Sequence, residues 1–234
     1  MYEAVHAHPD GQSTVARYAK RAADYGFEGV VVRNGADARA DYDAGRIREE
    51  YGVDVVSGVE IRADSPQQAS GAVGNYRTDE TMVVVRGGSN VMNRFAVEND
   101  KVDVLARPMS ADGDVNHVLV KAAVENGVRL EFDLSGVLRT HGGRRVRTIQ
   151  GLRKLEELVD HYDAPYVVSA TPGSHLELRA PRELLALGEQ IGLSSEFVGA
   201  GLAEWGRLAE RNRRVQSESF IEPGVEQGRY EEGS

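Results

Sequence analysis

Apolar residues along this 234-residue chain follow two alternating rhythms. Short, nearly continuous apolar runs give way to longer stretches where apolar positions return every three or four residues. The first kind reads as strands covered on both faces, the second as amphipathic helices. Strands are predicted at Tyr2 to Ala7, Gly29 to Val32, Val53 to Ile61, Met82 to Val85 and Val102 to Ala106. A sixth carries Val128, Leu130 and Phe132, and a seventh runs from Tyr166 to Ser169. Between them, Ser13 caps a helix with Val15, Tyr18, Ala19, Ala22 and Ala23 on one face, closed by Gly26. Asp37 caps a second helix reaching Tyr51, and Ser65-Pro66 opens a weak third. Gly87-Gly88 turns into a fourth helix through Val91, Met92, Phe95 and Ala96, and Asp114 caps a fifth. Ile149, Leu152, Leu155 and Leu158 mark the next helix, and Pro181 suits the first position of the one carrying Leu184, Leu185 and Leu187.

Strands and helices thus alternate seven times. Such alternation implies a parallel sheet ringed by helices, and its regularity points to an α/β barrel like the triosephosphate-isomerase type, with seven or eight strands. An eighth strand is not legible. After Gly192 the pattern gives one or two helices, Ser195 to Ala200 and Leu202 to Val215, and Phe220-Ile221 is the only later apolar pair. One domain over 1–222 is expected, followed by a flexible acidic tail over 223–234.

Composition narrows the partners. With no cysteine, disulfides and thiolate metal sites are excluded. No apolar run is long enough to cross a bilayer, and the N-terminus lacks a charged-then-apolar leader pattern, so a cytoplasmic location is expected. The net charge of −9 argues at first against nucleic acid. Yet of 28 basic residues only Lys20, Lys101, Lys121 and Lys154 are lysine. Abundant carboxylates with few lysines imply a salt-loving source. At about 1 M salt the Debye length is only about 3 Å, so long-range repulsion from RNA is nearly screened out. Direct bidentate contact survives, and arginine makes it better than lysine.

One stretch runs against the global charge. From Arg139 to Leu155 there is no acidic residue, while Arg139, Arg144, Arg145, Arg147, Arg153 and Lys154 accumulate. The first four fall in a glycine-broken loop after the sixth strand, where α/β folds place ligands. Arg179 and Arg182 flank Pro181 at a helix start, where unpaired backbone N–H groups favour an anion, although Glu177 or Glu183 could pair with Arg179. Arg207, Arg211, Arg213 and Arg214 are interleaved with Glu204 and Glu210 and read as a salt-bridged surface helix.

In a parallel barrel, ligands meet the C-terminal ends of the strands. Those ends carry His6 and His8, Arg33 and Asn34, Glu60, Arg86, Arg107, Glu131 and Asp133, then Ser169, Thr171 and His175. A His-x-His pair on the first strand with Gly58-Val59-Glu60 on the third resembles the metal site of the polymerase-and-histidinol-phosphatase (PHP) barrels. His6, His8, Glu60 and Glu131 would be the ligands. The resemblance fails further on. The Ala-His-Pro strand end of those enzymes is Ala106-Arg107-Pro108 here, and their late Ser-Asp-x-His is Ser169-Ala170-Thr171-Pro172. An arginine would set a fixed cation where a metal would sit, and is expected to pair with Glu60 or Glu131 instead.

A barrel of this type with a dismantled metal site resembles the ribonuclease P protein component 3 family, the archaeal relatives of the thirty-kilodalton ribonuclease P subunit. The likeness spans Tyr2 to about Val215. It is most specific in Tyr166-Val167-Val168-Ser169-Ala170, in Leu178-Arg179-Ala180-Pro181-Arg182-Glu183-Leu184 and in Ile191-Gly192-Leu193. His6-Ala7-His8 is more enzyme-like than that family's pattern. The resemblance implies a PHP-like barrel that acts in transfer-RNA maturation. It implies catalytic RNA, precursor tRNA and other protein subunits as partners, a small ferredoxin-like one among them. It also implies magnesium for the RNA and no cofactor held by this chain. The arginine and lysine residues of the two basic segments would then contact RNA or partner. Two other readings stand beside it: a metal-dependent phosphoesterase of the PHP type, and a barrel binding a small phosphorylated metabolite at Arg33, Arg86 and Arg107.

Overall fold

The computed structural model describes residues 1–217 with side chains, and 220–222 and 225–226 as backbone. Its first half alternates β1 (Tyr2–Val5), α1 (Val15–Tyr25), β2 (Gly29–Gly35), α2 (Ala44–Tyr51), β3 (Asp54–Ile61), α3 (Pro66–Tyr76) and β4 (Met82–Arg86). There follow α4 (Asn90–Val97), β5 (Val104–Ala106), α5 (His117–Asn126), β6 (Arg129–Asp133), α6 (Ser135–Arg139) and α7 (Gly142–Tyr162). The chain continues through β7 (Tyr166–Ser169), α8 (Pro181–Ile191) and α9 (Ser195–Gln216), and a short antiparallel pair, β8 (Phe220–Glu222) and β9 (Val225–Glu226), comes last. Strands β1 to β7 form one parallel sheet in sequence order. The barrel is nearly closed: among the described residues β1 and β7 do not pair with each other.

Because side chains alternate across a strand, each strand feeds two cores. Val5, Val30, Val32, Val83, Val85, Leu105, Leu130, Phe132 and Val168 face outward and pack under the helices. Ala4, Val31, Val56, Met82, Val84, Val104, Ala106 and Val167 face inward and form the lower barrel. That inner core is completed by α9, whose Trp205, Leu208 and Ala209 pack against it.

Helix α9 also covers the gap between β1 and β7. Two of its glycines allow the approach: a Cβ at Gly201 would overlap the Val168 side chain, and one at Gly206 would press into the Tyr2 ring. Trp205 Nε1 donates to the Val168 carbonyl at 2.9 Å. Glu3 crosses the same gap, its Oε1 accepting the Ala170 N–H at 2.9 Å and the Ala4 N–H at 3.1 Å.

The predicted elements are all present, with shifted edges. β1 stops at Val5, while β2 runs on to Gly35. The caps are Thr14 rather than Ser13, Asp43 rather than Asp37, and Asn116 rather than Asp114, each accepting backbone N–H groups of the first turn. Of the one or two helices predicted after Gly192 the structure has one, because Gly201 is needed for close packing and not for a break. The predicted loop around Arg139 to Arg147 is two helices. Arg139 ends α6, and Arg144, Arg145 and Arg147 lie in the first two turns of α7. Gly142, at φ 58°, supplies the left-handed residue that the turn between them requires. No eighth strand joins the barrel among the described residues. Of the expected tail, Val225–Glu226 is a strand paired with Phe220–Glu222. The remainder of 223–234 lies outside the described residues.

Candidate functional site

The inward alternation continues upward from the apolar floor into charge. Two residues beyond Val31 comes Arg33, beyond Gly58 comes Glu60 and then Arg62, beyond Val84 comes Arg86, and Glu131 and Asp133 sit at the end of β6. With His6 and Ser169 these side chains fill the upper barrel. The strand period gathers them there, since residues two apart share a face.

Arg33 is the centre of the group. Its side chain is wholly buried, with the guanidinium carbon 5.9 Å from the centroid of the Trp205 ring. Nη1 donates to Glu131 Oε1 at 2.5 Å and Nη2 to Glu131 Oε2 at 3.3 Å. Nε lies 3.3 Å from Glu60 Oε2, close enough for charge attraction but not aligned as a hydrogen bond. Glu60 is shared further. Its Oε2 accepts from His6 Nε2 at 3.0 Å, and its Oε1 from Arg86 Nε at 2.6 Å and Arg62 Nε at 3.1 Å. Arg62 also clamps Asp10 through both terminal nitrogens, at 2.8 and 2.6 Å. On the other side Ser169 Oγ donates to Glu131 Oε1 at 2.6 Å, and the Arg107 backbone N–H to Glu131 Oε2 at 3.1 Å. The Arg107 guanidinium turns to Asp133, 2.9 Å away, and donates to Thr171 Oγ1 at 3.3 Å. Thr171 in turn donates to Asp133 Oδ1 at 2.7 Å.

This lattice fixes its own ionisation. Burial would push the Glu60 carboxyl up, but Arg33, His6 and Arg86 outweigh it and hold the group well below the usual carboxylate range. Arg33 stays charged for the reciprocal reason: Glu131 and Glu60 more than offset the cost of its burial. Arg86 is pulled down, first by burial and then by the neighbouring cations Arg62 and Arg107, with Glu60 opposing.

A metal does not fit these residues. The Arg33 guanidinium occupies the space between Glu60 and Glu131, the two carboxylates that would have to turn toward an ion. Among the described residues no group of three or more His, Asp or Glu side chains has the spacing to hold one. His8 does not join His6 in the barrel: it lies beyond the end of β1 and is exposed, whereas His6 is buried. The expectation for Arg107 is corrected in its partner. Its side chain pairs with Asp133, and Arg33 takes the Glu60 and Glu131 side chains. Because Arg33 is sealed, the metabolite site at Arg33, Arg86 and Arg107 cannot exist in that form.

The predicted basic residues divide into kinds. Arg144, Arg145 and Arg147 are exposed at the start of α7, and among the described residues none has a carboxylate partner; Arg145 Nε donates to the Thr140 carbonyl at 2.8 Å. Arg139 turns back to the barrel, donating to the Ala170 carbonyl at 2.9 Å and pairing with Glu177 at 3.1 Å. Arg153 caps α8 by donating to the Ile191 carbonyl at 2.7 Å. Lys154 is held by both oxygens of Asp114, at 2.6 and 2.7 Å, so an acid distant in sequence answers the acid-free stretch. Arg179 and Arg182 are exposed without a carboxylate partner among the described residues, but Glu183 Oε2 accepts the Ala180 N–H at that helix start. Arg182 lines a hollow with Met1, Tyr25 and Gly26, at the opposite end of the barrel from Arg144. The reading of the last arginines as paired with interleaved acids holds for Arg207, which meets Glu204 at 2.7 Å, while Arg213 pairs instead with Asp54 of β3 at 2.8 Å.

Residues 1–217 match the family model described as RNase P subunit p30. The chain belongs to that family. A p30-family relative, the ribonuclease P protein component 3 of Haloarcula marismortui, is 61% identical over 225 residues, covering 96% of each chain. The fold of the p30-family chain also resembles a protein chain in the cryo-EM structure of archaeal ribonuclease P with mature tRNA. The TM-score there is 0.82 with 23% identity, and the match covers all of both chains. A histidinol phosphate phosphatase from Lactococcus lactis shares the barrel more loosely, at a TM-score of 0.52 and 9% identity over 82% of this chain and 94% of that one. The p30-family membership agrees with the resemblance carried by Tyr166 to Ala170 and Leu178 to Leu184. Sequence reasoning missed the central part played by Arg33. The signal was present: a lone charge two residues beyond Val31, directly after the apolar run Gly29 to Val32.

Proposed function

We propose that this chain works as a protein subunit of ribonuclease P, supporting the catalytic RNA in removing the 5′ leader of precursor tRNA and performing no cleavage itself. Family membership over residues 1–217 supports the holoenzyme role. The observation that carries the non-catalytic part is Arg33. Its buried guanidinium neutralises the carboxylates that a hydrolytic metal would need. A metal-bound nucleophile requires an open coordination position, and a permanent cation there disfavours any dication. Magnesium in this reading serves the RNA.

The RNA or partner contact is assigned to Arg144, Arg145 and Arg147, with Arg179 and Arg182 as a second, separate set. Guanidinium groups that no carboxylate neutralises are free to make bidentate contacts with phosphate. Other protein subunits, a small ferredoxin-like one included, would take the remaining faces. No helix is long and apolar enough to cross a membrane among the described residues. The test joins two measurements. Replacing Arg144, Arg145 and Arg147 together by alanine should weaken association with the RNA subunit and alter its footprint. Each change should cost no more than about 0.5 kcal/mol of stability, as for other surface positions. The purified chain, assayed alone with manganese, zinc or magnesium on precursor tRNA, should show no turnover. An unaltered footprint sinks the contact assignment, and robust turnover abolished by His6→Ala sinks the non-catalytic role.

A further inference from the structure

Above the ion-pair lattice the barrel opens into a cavity of about 450 Å³ lined by Arg62, Arg86, Arg107 and Arg139, with His6, Thr140 and Thr171. Asp10 and Glu177 are also on its rim. Asp10 has both oxygens on Arg62 and accepts the Gly35 N–H as well. Glu177 Oε2 faces Arg139 and accepts the Gly173 N–H. Asp133, below, is occupied by Arg107, Thr171 and Ser135. Donors are not used up in the same way. Arg86 meets Glu60 through Nε and Nη2, Arg107 has Nε beside Asp133 without an aligned hydrogen bond and donates through Nη2, and Arg139 uses Nε and Nη1. One terminal nitrogen of each is left without a protein partner among the described residues. The cations also crowd one another, which is why Arg62 and Arg107 help pull Arg86 down.

The backbone at this rim is strained at two non-glycine positions, Arg107 at φ 51° and Thr171 at φ 42°, and their side chains are joined by a hydrogen bond. A β-branched residue in the left-handed region is uncommon, and such strain concentrates where a site is held in shape.

We propose that the barrel mouth binds one phosphate-monoester group through Arg86, Arg107 and Arg139. Planar guanidinium forks match the oxygens of a tetrahedral dianion, and its charge relieves the repulsion between Arg86 and Arg107. The cavity has room for a substituent on the phosphate. The same group occurs on a small metabolite and at the 5′ end of an RNA, and the two are separable.

The purified full-length chain is titrated calorimetrically, in potassium chloride held constant, with inorganic phosphate, 5′-AMP and adenosine. Phosphate and 5′-AMP should bind saturably at one site and adenosine should not. Arg86→Gln should weaken 5′-AMP binding about tenfold or more, as expected for loss of a charge-assisted contact. Arg94→Gln, exposed on α4 and paired with Glu98, should leave it unchanged. If Arg86→Gln does not fold, Arg139→Gln replaces it, since Arg139 pairs with Glu177 at the rim and not with the buried Glu60. A short RNA with a 5′-phosphate is compared with its 5′-hydroxyl form. Tighter binding than 5′-AMP assigns the site to an RNA end, and equal or weaker binding assigns it to a free phosphomonoester. Absence of saturable binding, or binding indifferent to both glutamine variants, overturns the proposal.

Discussion

The lower and upper halves of the barrel interior are built on the same strands and the same two-residue alternation, yet they are filled by opposite means. Below, Val31, Val56, Met82, Val84 and Val104 close around Trp205, and burial of apolar surface stabilises the packing. Above, one step along the same strands, Arg33, Glu60, Arg86 and Glu131 fill the space with charge. A lattice of this kind holds only while every member is paired, because an isolated buried ion costs several kcal/mol. The lower half should therefore be indifferent to pH and tolerant of small changes. The upper half should be conditional on protonation and intolerant of losing a single partner.

The largest effect should come from Arg33→Met. It leaves Glu60 and Glu131 buried without their main counter-charge and should cost about 5 kcal/mol at neutral pH. The pH dependence then reverses sign. In the native protein the depressed Glu60 contributes stability that is present above the ordinary glutamate pKa and lost as pH falls toward its folded value. In the variant Glu131 is instead buried with no cation beside it, while Glu60 keeps Arg86, Arg62 and His6. The Glu131 penalty is absent below the ordinary glutamate pKa and grows as pH rises, so acid should partly rescue the variant. Urea melts between about pH 4 and pH 8 read this directly. A variant that loses stability in acid in parallel with the native protein would show that Arg33 is not the counter-ion.

Next is Trp205→Ala, which opens a cavity in the floor and should cost about 4 kcal/mol. Here the melts should shift by the same amount at every pH. A pH-dependent difference would mean that floor and mouth are coupled through the contact of Arg33 with the indole ring.

The smallest effect concerns Glu3, outside both halves in the β1–β7 gap. Burial raises its carboxyl to about 8, and Oε2 has no protein partner. It therefore folds protonated. The linked cost is absent below the ordinary glutamate pKa, grows as pH rises and levels off above about 8. Glu3→Gln should match the native protein in acid and be more stable above pH 8 by about 2 kcal/mol, since its amide still leaves a donor unpaired. Equal stability at both ends of the range would remove Glu3 from the list of groups ionising on unfolding.

The two halves also differed in how well they could be read from sequence. The floor was legible because Val30 to Val32 and Met82 to Val85 carry their burial in composition alone. The mouth was half legible. Each charged strand end was visible, but which arginine meets which carboxylate depends on the barrel's closure, and no spacing along the chain encodes that. Arg107 was expected on Glu60 or Glu131 and meets Asp133, because β6 extends one inward position further. The α7 start was hidden for a simpler reason. Gly142-Gly143 and a run of arginines imitate a loop, and only packing of Leu152, Leu155 and Val159 against the sheet makes it a helix. His8 failed as a partner of His6 because β1 ends sooner than its apolar pattern implies.

Helix α9 provides the floor of the barrel and the cover of its seam, and among the described residues it follows all seven barrel strands and the other helices. A polypeptide leaves the ribosome from its N-terminus, so all seven strands emerge before the segment that fills them. Until then the inward valines of β2 to β5 and the backbone edges of β1 and β7 have only water or another chain to meet, which is the condition under which nascent β structure aggregates. A chain released early, after α8, should accumulate in the insoluble fraction, and supplying the α9 peptide during refolding should recover part of it. Quality control during synthesis thus has to protect the sheet until Trp205 arrives.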